Sequence, residues 1–278
     1  MRNTQWTAFA RWQAEPLGSL NAAVVATVVI FIAIPVVLTV IMGFNDGDFL
    51  SFPIEAFSVR WFAEFLDSPA WTQALVNSLL IACGAAIVST ISGTLVAYAF
   101  VLIRPARIWY MLLLLPLFMP GVVLALGIAI SVGQVELLGF RLHGSRLLLI
   151  LAHSLWGTPL VFLVMESVFQ MLDRRILEAS ADLGASPIRT FFEMTLPLVA
   201  TGLASSTVFA FVISLNEFVM ALFLTTRDTQ TLPVLMWLSL RSAGTPLIAV
   251  AAIVLVSCVI ASLLVLLLCQ VLKRRQAS

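Results

Sequence analysis

The feature that most constrains this chain is the length of its charge-free stretches. Leu20–Phe44, Thr72–Ile103, Ile108–Val135 and Ser242–Leu272 contain no charged residue, Leu147–Met165 contains only His153, and Met194–Thr226 contains only Glu217. A core helix of a soluble protein needs one apolar stripe, not an apolar circumference. A bilayer core about 30 Å thick takes roughly 20 apolar residues per helix, and all six blocks reach or approach that length. The apolar runs are continuous instead of alternating, which predicts helices and not the strands of a barrel. Composition agrees: 61% of the residues are hydrophobic and 10% charged, against roughly 25% charged in an ordinary soluble domain. The expected fold class is an all-α integral membrane protein with six transmembrane helices. The blocks divide the chain into an N-terminal segment 1–19, a transmembrane domain 20–272 and a tail 273–278.

The first block follows a polar stretch and outruns a signal-peptide h-region of about 7–15 residues, so it reads as a retained helix. Cys83, Cys258 and Cys269 lie inside apolar blocks with no paired spacing. They read as small core residues, and neither a disulfide framework nor a metal site is expected. With six spans, one side holds Arg2, Arg11, Arg104, Arg107, Arg174, Arg175, Arg189, Lys273, Arg274 and Arg275. The other holds Arg60, Arg141, Arg146, Arg227 and Arg241, with seven of the fourteen acids. The positive-inside rule then predicts that both termini are cytoplasmic. A net charge of +1 gives no support to nucleic-acid binding. The outer segment Phe44–Trp71 is rich in Phe and Trp. It reads either as an interfacial helix anchored by its aromatics or as a surface for an external partner.

Within the blocks, Ala85, Ser89, Gly93 and Ala97 recur every four residues, a spacing that lets membrane helices approach closely. Pro116, Pro120 and Gly121 are expected to interrupt the third helix, and Gly157 with Pro159 the fourth. Two carboxylates stand out. Glu217, beside Ser214, Asn216 and Phe218, reads either as part of a cation pathway or as a structural hydrogen-bond acceptor; Glu166 reads as structural.

Between the fourth and fifth blocks, on the arginine-rich side, the loop 173–197 has helical character. Good helix formers from Arg174 to Leu183 end at Gly184. Ser186-Pro187 then supplies an N-cap followed by proline at the first helical position. Two short helices hinged at Gly184-Ala185 are expected, either as a docking lever or as an amphipathic connector.

The run Glu178-Ala179-Ser180, three residues, Gly184, nine residues, Met194, one residue, Leu196-Pro197 resembles the EAA loop of ABC importer permeases at every spacing. It departs only at Ser180, where the pattern has alanine, and in the methionine at the aliphatic position. The resemblance implies a MetI-like permease fold in a bacterial inner membrane. It implies coupling to ABC ATPase subunits through Glu178, Ala179, Ser180, Asp182, Gly184, Leu196 and Pro197, a second and related permease subunit in a heterodimer, and a periplasmic or extracellular solute-binding protein. ATP would be bound by the partner subunit. The chain's only lysine is Lys273, with no glycine loop before it, so it has no P-loop of its own and no catalytic residue or cofactor is expected.

Asn77-Ser78-Leu79, Ser214-Leu215-Asn216-Glu217-Phe218 and Thr231-Leu232-Pro233 are similar to the spermidine/putrescine branch of these permeases, which implies a polyamine cargo. Members of that branch often have two acids where this chain has Asn216-Glu217, so related cargoes such as aminoethylphosphonate or iron stay open. A secondary transporter is disfavoured because the two halves show no internal repeat. The two histidines, ten residues apart, form no metal motif.

Overall fold

The computed structural model describes residues 16–132, 136–137, 139–242 and 244–277. In chain order the helices are α1 (Pro16–Gly43), α2 (Arg60–Asp67), α3 (Pro69–Ile103), α4 (Arg107–Phe118), α5 (Gly121–Val132), α6 (Arg146–Gln170), α7 (Arg174–Asp182), α8 (Pro187–Thr190), α9 (Leu196–Leu198), α10 (Ala200–Leu215), α11 (Val219–Leu224), α12 (Leu232–Ser242) and α13 (Leu247–Ala277). A two-residue antiparallel ladder, Glu136–Leu137 with Phe140–Arg141, sits between α5 and α6. Four helices are unbroken candidate spans: Leu20–Gly43, Pro69–Ile103, Arg146–Gln170 and Leu247–Leu272. Two further spans are bent: α4 and α5 meet at 98°, and Pro187–Leu198 meets α10 at 77°. Six spans result when each bent pair counts as one.

Two compact units are present, one made of residues 16–65 and 244–253, the other of Leu66–Ser242 and 254–277. In the first, the segment expected as an interfacial helix is instead a folded loop that becomes helical only at α2. Asn45 organises it. Its Nδ2 donates to Phe49 O at 3.1 Å and to Ser51 Oγ at 3.2 Å, and its Oδ1 accepts from Glu55 N at 3.0 Å. Phe44 stacks on Phe57 with centroids 4.9 Å apart, and Trp61 Nε1 donates to Gly47 O at 3.1 Å. Gly47 and Pro53 disfavour a continuous helix here, and the Asn45 amide supplies the bonds that helix formation would have made.

The second unit is built on α3, α6 and α10 packed side by side. Its close approach comes from the expected small residues: Ala85, Ser89, Gly93 and Ala97 are all buried. A Cβ on Gly93 would stand 2.7 Å from Thr158 O and 2.8 Å from Val161 Cβ, and one on Gly157 would meet Ser89 Oγ. Ser92 and Thr158 hydroxyls bond across the α3–α6 seam at 2.8 Å, and Thr90 donates to Thr207 across α3–α10 at 3.1 Å. The expected interruption at Gly157 and Pro159 does not occur, and α6 runs intact through both. Gly157 serves close packing, and α6, packed on α3 and α10, stays continuous although Pro159 lacks an N–H. Cys83 and Cys269 are exposed and not core residues as expected, and all three cysteines are free thiols. Their blocks are apolar all round, so burial could not be read from composition.

Candidate functional site

The loop expected to form two short helices does so. Asp173 accepts from Arg175 N at 3.0 Å to start α7, and Gly184, at φ +81°, ends it. The left-handed turn is closed by Gly184 N donating to Ala181 O at 2.8 Å and Ala185 N to Ser180 O at 3.1 Å, a C-terminal cap suited to glycine. Ser186 then caps α8 by accepting from Arg189 N at 3.3 Å, with Pro187 at the first helical position. Ser180 and Thr190, both buried, join the two helices through hydroxyls 3.0 Å apart. Glu178, Ala179, Asp182 and Gly184 are exposed. Ser180 thus braces the hairpin from within, while those four residues lie exposed.

The Leu196-Pro197 end of the motif has a function that spacing alone did not reveal. Residues Phe191–Thr195 form a π-turn in which Leu196 N donates to Phe191 O, five residues back. Thr195 Oγ1 donates to Thr190 O at 3.3 Å inside the widened turn. Pro197 has no N–H to continue the α-pattern, and a π-bulge is its local consequence. The block expected to run as one helix over Met194–Thr226 is accordingly divided: it bends at Val199, ends at Leu215 and resumes at Val219.

That second interruption holds three of the four candidate pathway residues, and the fourth, Ser214, lies in the last turn before it. Glu217 is 5% exposed, and its Oε1 accepts from Met220 N at 2.8 Å, capping α11. Ser214 is buried and its hydroxyl lies 2.8 Å from His153 Nδ1 on α6. Asn216 is exposed and turns back, donating from Nδ2 to Val212 O at 2.8 Å. Phe218 packs on Trp237 of α12 with centroids 5.6 Å apart. The Glu217 carboxylate therefore has the structural hydrogen bond that one of its two readings requires. Glu166 accepts from Tyr110 Oη at 2.8 Å and from Gln170 Nε2 at 3.2 Å. It lines a cavity of about 580 Å³ that also reaches Arg104, Leu177 and Glu178 of the hairpin.

A further cluster went unread in the sequence. Asn77, 1% exposed, donates to Asp228 O at 2.9 Å and Gln230 O at 3.0 Å, and its Oδ1 accepts from Arg146 Nε at 2.9 Å. Next to it Ser78 Oγ accepts from Leu232 N at 2.8 Å. The Asn77-Ser78 and Thr231-Leu232 runs, read separately, are two halves of one clasp fastening α12 to α3. Their separation of some 150 residues, visible in the sequence-distance of 154 for the Ser78 bond, hides it from any local pattern. Among the described residues no group of three or more His, Cys, Asp or Glu side chains fits a metal ion.

Residues 7–274 match the profile of the family described as binding-protein-dependent transport system inner membrane component. The putrescine transport system permease protein PotI of Escherichia coli is 34% identical over 232 residues, covering 81% of this chain and 82% of that protein. The spermidine/putrescine transport system permease protein PotC of Haemophilus influenzae is 27% identical over 259 residues, covering 92% and 97% respectively. Among solved structures, a bacterial ABC transporter involved in the import of the acidic polysaccharide alginate has a chain that superposes with a TM-score of 0.72 over 98% of both chains, at 15% identity. That likeness supports the fold.

Proposed function

This chain belongs to the inner membrane components of binding-protein-dependent transport systems and is an ABC importer permease, and on that ground we propose that it forms half of a polyamine pathway driven by a separate ATPase. The observation that carries the coupling is the α7–α8 hairpin, which presents Glu178, Ala179, Asp182 and Gly184 outward around a rigid left-handed turn. A rigid, braced and exposed hairpin suits a part that transmits a push without deforming. Similarity to the putrescine permease supports the cargo. The arginine-rich side, which includes this hairpin, is cytoplasmic in this reading. A related second permease subunit completes the pathway, and a solute-binding protein delivers cargo at the opposite face. Glu217 contributes negative charge at the α10–α11 elbow, where a cation would pass.

Reconstitution of the chain with its cognate ATPase, partner permease and binding protein in proteoliposomes tests this. Putrescine or spermidine should accumulate only with ATP and binding protein present, and should outcompete aminoethylphosphonate and ferric ion. Uptake driven by a proton gradient without ATP would overturn the coupling; preference for either competitor would overturn the cargo.

A further inference from the structure

Both broken spans are fastened to one short stretch of α6. Pro120 lacks an N–H, so it cannot donate to the carbonyl of Pro116 as a helix residue would. Met119 N reaches that carbonyl at 3.3 Å, and Trp156 Nε1 donates to it at 2.9 Å. Three residues earlier, His153 pairs with Ser214 in the last turn of α10, both side chains being buried. Past the breaks, α5 and α11 pack on each other. A Cβ on Gly121 would stand 3.0 Å from the Trp156 ring and 3.4 Å from Val219 Cβ. Ala125, Met220 and Ala221 share one apolar cluster with Leu149 and Ala152 of α6.

We propose that His153 and Trp156 are positioning residues for transport: they fix where the two spans turn, and thereby hold α5 and α11 as one unit beside the Glu217 elbow. The proposal rests on the permease reading. An apolar interior offers no water to satisfy a polar group that loses its partner, so each bond selects one place for its break. The α10–α11 break contains neither proline nor glycine, and its location depends all the more on a partner outside the span. A residue that only filled space would change stability without changing solute moved per ATP.

The test uses the complete transporter in proteoliposomes with putrescine as cargo. His153→Leu and Trp156→Phe keep bulk and remove the hydrogen bond, while His153→Asn keeps a polar atom close to the position of Nδ1. The Leu and Phe variants should assemble and hydrolyse ATP at more than about half the wild-type rate, yet move about tenfold less putrescine per ATP, the scale of one buried hydrogen bond. His153→Asn should restore most of that ratio, and adding Ser214→Ala to His153→Leu should cost nothing more. Transport and hydrolysis falling together with assembly, or an unchanged ratio, would overturn the proposal. Geometry is read without any cargo by spin labels at Val123 on α5 and Phe223 on α11, both exposed, with the native cysteines replaced. The distance should be narrowly distributed in the wild type and broadened by His153→Leu. An unchanged distribution would overturn the positioning role. A wild type that moves no putrescine while the distances behave as expected would sink the cargo reading alone.

Discussion

Gly184 offers the sharpest separation of two effects in the hairpin. Its φ is +81°, and a Cβ built there meets nothing within 4 Å. In the chain itself a side chain therefore costs conformation and not space. An L-residue in the left-handed region costs about 1–2 kcal/mol, which corresponds to a factor of roughly 5–30 in the population of the turn. Asn visits this region more readily than Ala because its short amide bonds to nearby backbone. If the turn geometry is what matters, Gly184→Ala should lower solute-stimulated ATP hydrolysis and transport by about tenfold, and Gly184→Asn by clearly less. If instead a docked ATPase crowds the turn, damage should follow side-chain volume, so that Asn is worse than Ala and Asp as bad as Asn. Proteoliposome transport and hydrolysis, measured side by side, distinguish the two orders. Retention of more activity by Gly184→Ala than by Gly184→Asn would refute the conformational reasoning. Membrane insertion should not change, and the melting temperature of the solubilised chain should fall by no more than a few degrees, because the cost is confined to the turn and no packing is touched.

Four other perturbations have defined outcomes. Glu217→Gln keeps an oxygen able to accept from Met220 N while removing the charge, so putrescine transport should fall at least tenfold with an unchanged melting temperature; a change in melting temperature without a transport change would leave only the structural bond. Ser186→Ala removes the cap on Arg189 N at a cost of about 1 kcal/mol, seen as weaker ATPase association in co-purification at low protein concentration. Asn77→Ala removes the bonds to Arg146 Nε and to the carbonyls of Asp228 and Gln230, each worth about 0.5–1.5 kcal/mol net, and should lower thermal stability in detergent. Gly93→Val forces a Cβ to 2.7 Å from Thr158 O, and overpacking of about 1–3 kcal/mol should separate α3 from α6 and lower the melting temperature in the same assay.

The span count and the α7–α8 hairpin were legible because their signals are local. A span needs only a long apolar run, and the hairpin is written in consecutive punctuation: helix formers from Arg174 that stop at Gly184, then Ser186-Pro187. The small-residue row on α3 was equally readable, since a four-residue repeat defines a helix face whatever it packs against. The Asn77 clasp and the Tyr110–Glu166 bond were not, because their partners are brought together only by the packing of α3, α6 and the segments beyond them. The loop after α1 misled for a related reason. Its aromatics suggested an amphipathic helix, but a single buried amide at Asn45 captured the backbone groups first.

The helix breaks make the general point most clearly, because proline turned out to be neither necessary nor sufficient for one. Pro120 breaks its span, and Trp156 compensates the carbonyl thereby freed. Pro159 breaks nothing: α6, packed on both α3 and α10, runs unbroken through it. The break at Leu215–Val219 has no proline or glycine, yet it is held by two side-chain bonds, Glu217 to Met220 N and Ser214 to His153. A carboxylate that caps a new helix start costs less in an apolar interior than one left without a donor. The acid thus favours a helix start just beyond itself, and α11 begins two residues later. In the sequence Glu217 read as a charge in a membrane, serving either a cation pathway or a structural hydrogen bond. The structure adds that the same carboxylate makes the elbow, so charge and bend cannot be altered independently at this position except by an isosteric amide.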